Sequence, residues 1–97
     1  MTNVMFGTPE ASTDKFGQPT TELPVTVANR RPEAADYIII FDAVDTTGKT
    51  IAQNSVYTMH LGARRTQEYK STFYNLDPSQ LEAMQTATFK ITSISEQ

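Results

Sequence analysis

The sequence contains no cysteine and no tryptophan, and its one histidine is His60. Without cysteine, the chain cannot form a disulfide scaffold, a thiolate metal site or a cysteine nucleophile. The longest apolar run, Tyr37 to Phe41, is far shorter than the roughly 20 residues of a membrane-spanning helix. The first residues, Met1 to Phe6, show neither the basic nor the apolar region of a signal peptide. We therefore expect either a cytoplasmic protein or a mature secreted segment to which Met1 was added.

Positive and negative charges are nearly balanced, with 8 Lys and Arg against 11 Asp and Glu and a formal net charge of −3. This balance gives no electrostatic reason to expect a nucleic acid or an anionic membrane as the partner. Apolar residues make up 38% of the chain, which is typical of a globular protein rather than a disordered one. A chain of 97 residues then has room for a single domain, 1–97, with one core.

Turn-forming residues are concentrated near the N-terminus, where two glycines and two prolines lie among Ser, Thr and Asp in residues 7–21. This composition predicts a turn-rich segment, 1–21, that contributes an edge strand to a sandwich core over residues 22–95. Phe6 and Phe16 each precede a Gly-x-Pro sequence, and two such copies are too few for a repeat architecture. We interpret them as two similar turns, each preceded by a buried phenylalanine.

Apolar and polar residues alternate from Glu22 onward, which is typical of half-buried strands. The first of these strands ends at Asn29, and Asp42 marks the outer face of the second. Ile38 and Ile40 share that outer face and need cover from a loop, a neighbouring segment or a partner. The inner faces are predicted to hold Leu23, Val25 and Val27 on the first strand, and Tyr37, Ile39, Phe41 and Ala43 on the second.

Further strands are expected after a hairpin turn over residues 45–49, in which Asp45 caps the turn and Gly48 supplies a positive φ. These are a third strand over residues 50–58 with a bulge near Asn54-Ser55, a fourth over residues 65–73 and a last one over residues 86–92. Short strands with so little helix predict an all-β protein, an immunoglobulin-like antiparallel β-sandwich. A small barrel is the main structural alternative.

One short helix is predicted before the last strand, at about residues 77–86. Asp77 is the expected N-cap, Pro78 occupies the first helical position and Gln80 completes a capping box. Leu76 and Leu81 stand at the two positions of a hydrophobic staple.

Four features follow one another along the chain in a recognisable series. They are a strand that ends in Asn29, a hydrophobic strand that begins at Tyr37, an acidic-Gly-Lys turn over residues 45–49 and a later loop with Leu61-Gly62. This series resembles the FxLYD-type domains, immunoglobulin-like sandwiches of bacterial and notably actinobacterial envelope proteins and lipoproteins. The later loop departs from the family's Leu-x-Pro-Gly pattern, because it lacks the proline and its glycine is displaced. The resemblance covers roughly residues 3–95. It implies an extracellular or cell-envelope location with a membrane anchor in the full-length protein, and no catalytic residues.

Few residues could support metal or catalytic chemistry. Met59 and His60 form the one adjacent pair that suggests a soft metal such as copper. Neighbouring strand residues point to opposite faces, so we favour a loop-end histidine with Met59 in the core. Asp36, Asp42 and Asp45 are the densest acidic group. We favour turn capping by Asp45 over the alternative, a weak Ca²⁺ site formed by Asp42, Asp45 and the hydroxyl of Thr46 or Thr47. Since neither a Gly-x-Ser-x-Gly motif nor a phosphate-binding glycine loop is present, we expect no enzymatic activity and no cofactor.

Two arginine doublets, Arg30-Arg31 and Arg64-Arg65, are predicted to lie in loops or at loop edges. If both doublets lie at one end of a sandwich, they form a positive patch for an anionic partner, such as a teichoic-type polymer, phospholipid head groups or an acidic protein. The alternative role is solubility and the protection of edge strands, with nearby carboxylates neutralising the arginines.

The predicted function is that of a non-enzymatic, immunoglobulin-like binding or spacer module of a bacterial envelope or secreted protein. Its partner would be an unidentified protein or an anionic envelope component rather than a nucleic acid, and only an anchor outside this sequence would reach a membrane. Two alternatives stay open. One is a structural module of a phage or secretion assembly, and the other is a metal-handling sandwich that uses Met59 and His60.

Overall fold

Two antiparallel sheets packed face to face form the protein in a computed structural model that describes residues 2–96. Gln97 lies outside these residues, and so does Met1, which the sequence leaves open as a native or an added start. In chain order the elements are β1 (Thr2–Phe6), β2 (Glu10–Thr13), β3 (Pro19–Asn29), β4 (Ala35–Val44), β5 (Thr50–Leu61), β6 (Thr66–Phe73), α1 (Pro78–Met84) and β7 (Thr88–Glu96). The predicted all-β sandwich, with one short helix before the last strand, is confirmed.

Each sheet is built around a central strand. In sheet 1, β3 pairs with β6 along one edge and with β1 and then β2 along the other. In sheet 2 the order is β5-β4-β7. These pairings match those of strands A-B-E and C′-C-F in an immunoglobulin fold, and no strand of residues 2–96 takes the place of G. The edge of β7 is therefore unpaired there, and its inner-face residues Ile91 and Ile94 are 41% and 43% exposed.

The core between the sheets consists of the alternating residues that the sequence predicts. All of the predicted inner-face residues of β3 and β4 are buried, namely Leu23, Val25, Val27, Tyr37, Ile39, Phe41 and Ala43. The ring of Phe41 lies at the centre, 5.1 Å from that of Phe6 and 6.0 Å from that of Phe73. Ile38 and Ile40, on the outer face of β4, are half-buried.

The segment before β3 is more regular than the predicted turns over residues 7–21. It contains β2, and β3 begins early enough to bury Thr20 and Thr21. Pairing with β3 therefore outweighs the local turn preference of these residues. Phe16 is 77% exposed, so the prediction of a second buried anchor is wrong. The turn at Phe16 is held instead by the Asp14 carboxylate, which accepts the Phe16 N–H at 2.8 Å.

The interruption between β1 and β2 explains how a proline fits within the central strand β3. The two strands follow each other along the same edge of β3, with a one-residue change of register between them. Pro24 faces this interruption, where its carbonyl oxygen accepts the Gly7 N–H at 2.8 Å. Because the N–H and C=O of a strand residue point the same way, the N–H that proline lacks would also face the interruption.

The helix and the β4–β5 turn have the predicted local structure. Asp77 caps α1 by accepting the Gln80 N–H at 2.8 Å, and the Gln80 side chain accepts the Asp77 N–H at 2.9 Å. In the turn, the Asp45 carboxylate accepts the N–H groups of Thr47 and Lys49, both at 2.9 Å.

Strand ends and bulges depart from the predictions. β5 continues to Leu61, and β7 runs over Thr88–Glu96 rather than residues 86–92. The bulge expected near Asn54 is wrong, since Asn54 pairs in regular register with Phe41. The register shifts of the β4–β5 pairing instead lie between Ala35 and Tyr37 and between Ala43 and Val44. The alternation is broken at Asn54 because this inner-face amide donates to the Thr72 carbonyl oxygen of the opposite sheet at 2.8 Å.

Candidate binding site at the arginine end

Both arginine doublets lie at the same end of the sandwich, which we call the arginine end. The β3–β4 loop carries Arg30 and Arg31, and the β5–β6 turn carries Arg64 and Arg65. The two segments are in direct contact, because the Arg64 N–H donates to the Arg31 carbonyl oxygen at 3.2 Å. The structure therefore brings all four sequence-predicted residues together.

Asn29, the last residue of β3, holds these two segments in place. It is 1% exposed, and its Oδ1 accepts the Arg31 N–H at 3.0 Å and the Tyr37 hydroxyl at 2.9 Å. Its Nδ2 lies within hydrogen-bonding distance of three carbonyl oxygens, those of Glu33 (3.0 Å), Leu61 (2.9 Å) and Gly62 (3.1 Å). Since Nδ2 has two hydrogens, the three carbonyls share them. One buried amide thus joins the β3–β4 loop, the β5–β6 turn and β4.

Sequence reasoning missed this role of Asn29, which it marked only as the end of a strand. The signal that could have found it is the parity of β3. Asn29 continues the inner-face series of Val25 and Val27, which predicts burial of its polar side chain. A buried amide requires hydrogen-bond partners, and residues in the adjacent loops are the nearest source of them.

The four arginines differ in their ionic partners. The Arg31 guanidinium donates hydrogen bonds to the carboxylates of Glu33 and Glu96, and these bonds raise its pKa. Among residues 2–96, no carboxylate lies within ion-pair distance of the other three, Arg30, Arg64 and Arg65. The N–H donors of these three exposed guanidinium groups are therefore available to bind a ligand.

Arg30 and Arg64 line a common depression of about 340 Å³ beside the outer face of sheet 1. The other residues that line it are Ala28, Asn29 and Thr66. Guanidinium groups bind phosphate, sulfate and carboxylate oxygens through paired N–H donors. This depression can therefore hold an oxyanion between two arginines.

The backbone at Arg64 is unusual for an arginine. Arg64 is the third residue of a turn that is closed by the hydrogen bond from the Arg65 N–H to the Gly62 carbonyl oxygen, at 3.0 Å. Its φ of 57° lies in the left-handed region, which favours glycine at this turn position. The side chain of Arg65 lies against Gly62: its Cγ would be only 2.9 Å from a Cβ atom if Gly62 had one. Arg65 thus passes over Gly62, whereas Arg64 lines the depression.

Met59 and His60 lie near the same end of the sandwich, with the Asp36 carboxylate beside His60. The expectation that Met59 belongs to the core is wrong, because it is 69% exposed on the outer face of β5. The His60 side chain is 84% exposed, and its Nδ1 lies 3.6 Å from the Asp36 carboxylate. In the part of the chain that the structure describes, no three His, Asp or Glu side chains cluster closely enough to hold a metal ion.

The three aspartates that are close in sequence are separated in the structure. Asp36 lies at the arginine end, Asp42 on the outer face of β4 and Asp45 in the turn at the opposite end. Hydrogen bonds from the Thr47 hydroxyl and the Lys49 backbone N–H hold the pKa of Asp45 below its usual value. Asp45 therefore has the turn-capping role.

Comparison of the chain with protein-family models, curated proteins and solved structures finds no match in any of the three. The resemblance to FxLYD-type domains stays a prediction, and the candidate site is defined by its geometry. No helix in residues 2–96 is both long and apolar enough to cross a membrane.

Proposed function

We propose that this protein is a non-enzymatic, immunoglobulin-like binding module of a bacterial envelope or secreted protein, and that it binds an anionic partner at its arginine end. The observation that carries the proposal is the set of three arginines, Arg30, Arg64 and Arg65, which stand on adjoining segments without a carboxylate partner among residues 2–96. Such groups offer charge-assisted hydrogen bonds to an acidic protein or an anionic envelope polymer.

The distribution of charge along the sandwich supports this proposal although the net charge is −3. Among residues 2–96, the arginine end has four arginines beside three carboxylates, those of Glu33, Asp36 and Glu96. The turns and helix at the opposite end have two lysines, Lys15 and Lys49, among the carboxylates of Asp14, Asp45, Asp77 and Glu82. The two ends therefore differ in sign, and this difference steers an anionic partner toward the arginine end.

The arginine end is also rigid enough to serve as a binding surface. The loops at the ends of β-sandwiches bind partners because the sheets hold them in fixed positions. Here the buried Asn29 amide bonds to both arginine-bearing segments, so the backbones of Arg31 and Arg64 are held before a ligand arrives. Such preorganisation lowers the entropic cost of binding.

A pair of variants with the same net charge tests the proposal. The double variant Arg30→Gln/Arg64→Gln removes two positive charges from the arginine end. The matched control Lys15→Gln/Lys49→Gln removes two from the opposite end. Binding is measured by fluorescence anisotropy with labelled poly-L-glutamate and labelled polyphosphate, at low and at physiological salt.

We expect the unmodified protein to bind at least one of these polymers, more weakly at higher salt because ions screen exposed charges. The arginine variant should lose about tenfold or more in affinity, as expected for the loss of charge-assisted hydrogen bonds. The lysine control should stay within about twofold. Equal losses in the two variants, or binding of neither polymer by the unmodified protein, would contradict the proposal.

A further inference from the structure

A second depression adjoins the one between Arg30 and Arg64. It has a volume of about 150 Å³ on the outer face of sheet 1. Its lining residues are Asn3, Met5, Thr26, Ala28, Arg30 and Thr66. Ala28, Arg30 and Thr66 line both depressions, so the two adjoin along these residues. We call the two depressions together the sheet groove, which extends from Arg64 past Arg30 toward Met5.

The positive charges of the sheet groove are confined to the end at the loops. Beyond Arg30 the lining side chains are uncharged, and those of Thr26, Thr66 and Asn3 offer hydroxyl and amide groups. Met5 is 65% exposed at the far end, where its flexible thioether can cover a bound molecule. The groove therefore suits a molecule with one charged end and an uncharged remainder that has hydroxyl groups.

Glu68 limits how far negative charge can extend along the groove. It lies directly opposite Thr26 in the pairing of β3 with β6, so the two side chains share the outer face of sheet 1. Side chains opposed in this way have their Cβ atoms about 5 Å apart. A second anionic group seated at Thr26 would be repelled by the Glu68 carboxylate, whereas a neutral group would not.

We infer that the sheet groove binds a phosphorylated polyol, with the phosphate between Arg30 and Arg64 and the neutral stem over Ala28, Thr66 and Thr26. This inference rests on the proposed function, because it uses the same two arginines, and it adds the class of ligand. Two guanidinium groups match the double negative charge of a phosphate monoester. The hydroxyl groups of the stem find partners in the threonines and the Asn3 amide. The phosphorylated polyol is either a free molecule or the terminal unit of a polymer or lipid head group.

Titration of ¹⁵N-labelled protein with three small probes tests this inference. The probes are glycerol 3-phosphate, inorganic phosphate and glycerol. We expect glycerol 3-phosphate to shift the amide signals of Arg30 and Arg64 and also those of Thr26 and Met5, which line only the second depression. Inorganic phosphate should shift only the first pair and bind several-fold more weakly, and glycerol alone should shift neither.

If glycerol 3-phosphate and phosphate bind with equal affinity and shift only Arg30 and Arg64, the inference about the groove is wrong while the proposed function stands. If neither probe shifts any signal at the arginine end, the inference about the groove is also wrong. The proposed function is decided separately, by the affinity of the charge-matched variants for the two polymers.

The variant Arg64→Gly separates loss of binding from loss of folding. It removes the guanidinium and puts the preferred residue at the left-handed turn position, so the melting temperature should not fall. Its affinity for glycerol 3-phosphate should fall about tenfold or more. The control Lys15→Gln, which removes one positive charge from the turn at the opposite end, should retain affinity within about twofold. Equal losses in the two variants would contradict the inference.

A polymer of glycerol phosphate identifies the source of the ligand. If the groove takes a terminal unit, a polymer that ends in a phosphate monoester should bind as tightly as glycerol 3-phosphate, and the Glu68→Gln variant should bind it more tightly. A polymer that lacks such an end should bind the groove only in Glu68→Gln. If the groove takes only a free molecule, neither polymer should shift Thr26. Tight binding of the polymer without a terminal phosphate to the groove of the unmodified protein would overturn the inference.

Discussion

Replacing Asn29 by alanine should loosen the arginine end and lower the stability of the whole domain. Two of the hydrogen bonds of Asn29 are fully buried, those with the Leu61 carbonyl oxygen and the Tyr37 hydroxyl. A buried polar group left without a partner costs about 1–3 kcal/mol, so the two together amount to about 2–6 kcal/mol. The remaining partners are part-buried, and water can replace the lost amide there. The expected loss is a large share of the roughly 5–15 kcal/mol that stabilises a domain.

Urea unfolding followed by far-UV circular dichroism measures this loss in Asn29→Ala. The matched control is Tyr37→Phe, which removes the hydroxyl but leaves Asn29 bound to both loops. Its expected cost is about 1 kcal/mol, because one hydrogen bond is lost while Asn29 Oδ1 still accepts the Arg31 N–H. The double variant should cost less than the sum of the two single variants, since the two side chains are direct partners.

A loss of less than about 1 kcal/mol in Asn29→Ala would refute this reasoning, because it would show that the buried partners find other hydrogen bonds. A second observation is independent of stability. The amide signals of Arg31 and Arg64 should move in Asn29→Ala and stay in place in Tyr37→Phe. If neither variant moves them, Asn29 does not hold the two segments together.

Three further predictions concern the core, the β5–β6 turn and the carboxylate caps. Phe41→Ala should cost about 3–5 kcal/mol through the cavity it leaves among the phenylalanines, and an unchanged urea midpoint would show that this residue is not central. Arg64→Gly should raise the free energy of unfolding by about 1 kcal/mol by relieving the left-handed backbone, whereas a lower melting temperature would show that no strain is stored there. The pKa of Asp77 is lowered by hydrogen bonds from the Gln80 N–H and the Ser79 hydroxyl. Its contribution to stability is therefore present above the usual pKa of about 3.9 and is lost as the pH falls through the lower folded-state pKa. In Asp77→Asn this acid-dependent part of the stability should disappear, and an unaltered pH profile of the melting temperature would contradict the capping role.

Local signals were enough to predict the central strands and the helix. The alternation of Leu23, Val25 and Val27 decides which face of β3 is buried, since the period of a strand is two. Asp77 and Gln80 close a capping box within a few residues of each other, so their sequence spacing already contains the geometry.

Features that depend on distant partners could not be predicted in the same way. Strand β2 forms because Glu10–Thr13 pairs with the start of β3, and nothing in its own turn-like composition shows this. Asn54 looked like a bulge because its partner, the Thr72 carbonyl oxygen, lies in the other sheet. In both cases a contact across the fold outweighs the local preference.

The candidate site was predicted as four arginines, and the structure divides them by role. Arg31 forms an ion pair with Glu96, which lies near the other end of the sequence and comes close to Arg31 only in the folded chain. Arg64 and Arg65 are neighbours whose side chains diverge because of the backbone conformation at Arg64. The sequence shows that these residues are arginines. The direction of each side chain depends on the backbone conformation of the loops, which no periodic pattern in the sequence predicts.

The claim that the arginine end is the binding surface is tested most directly by mapping the bound polymer on ¹⁵N-labelled protein. The amide and guanidinium Nε signals are followed while polyphosphate is added at low salt. We predict that the signals of Arg30 and Arg64 move first and furthest, and that those of Lys15 and Lys49 at the opposite end stay in place. Shifts centred on the lysines, or spread evenly over the surface, would contradict the account.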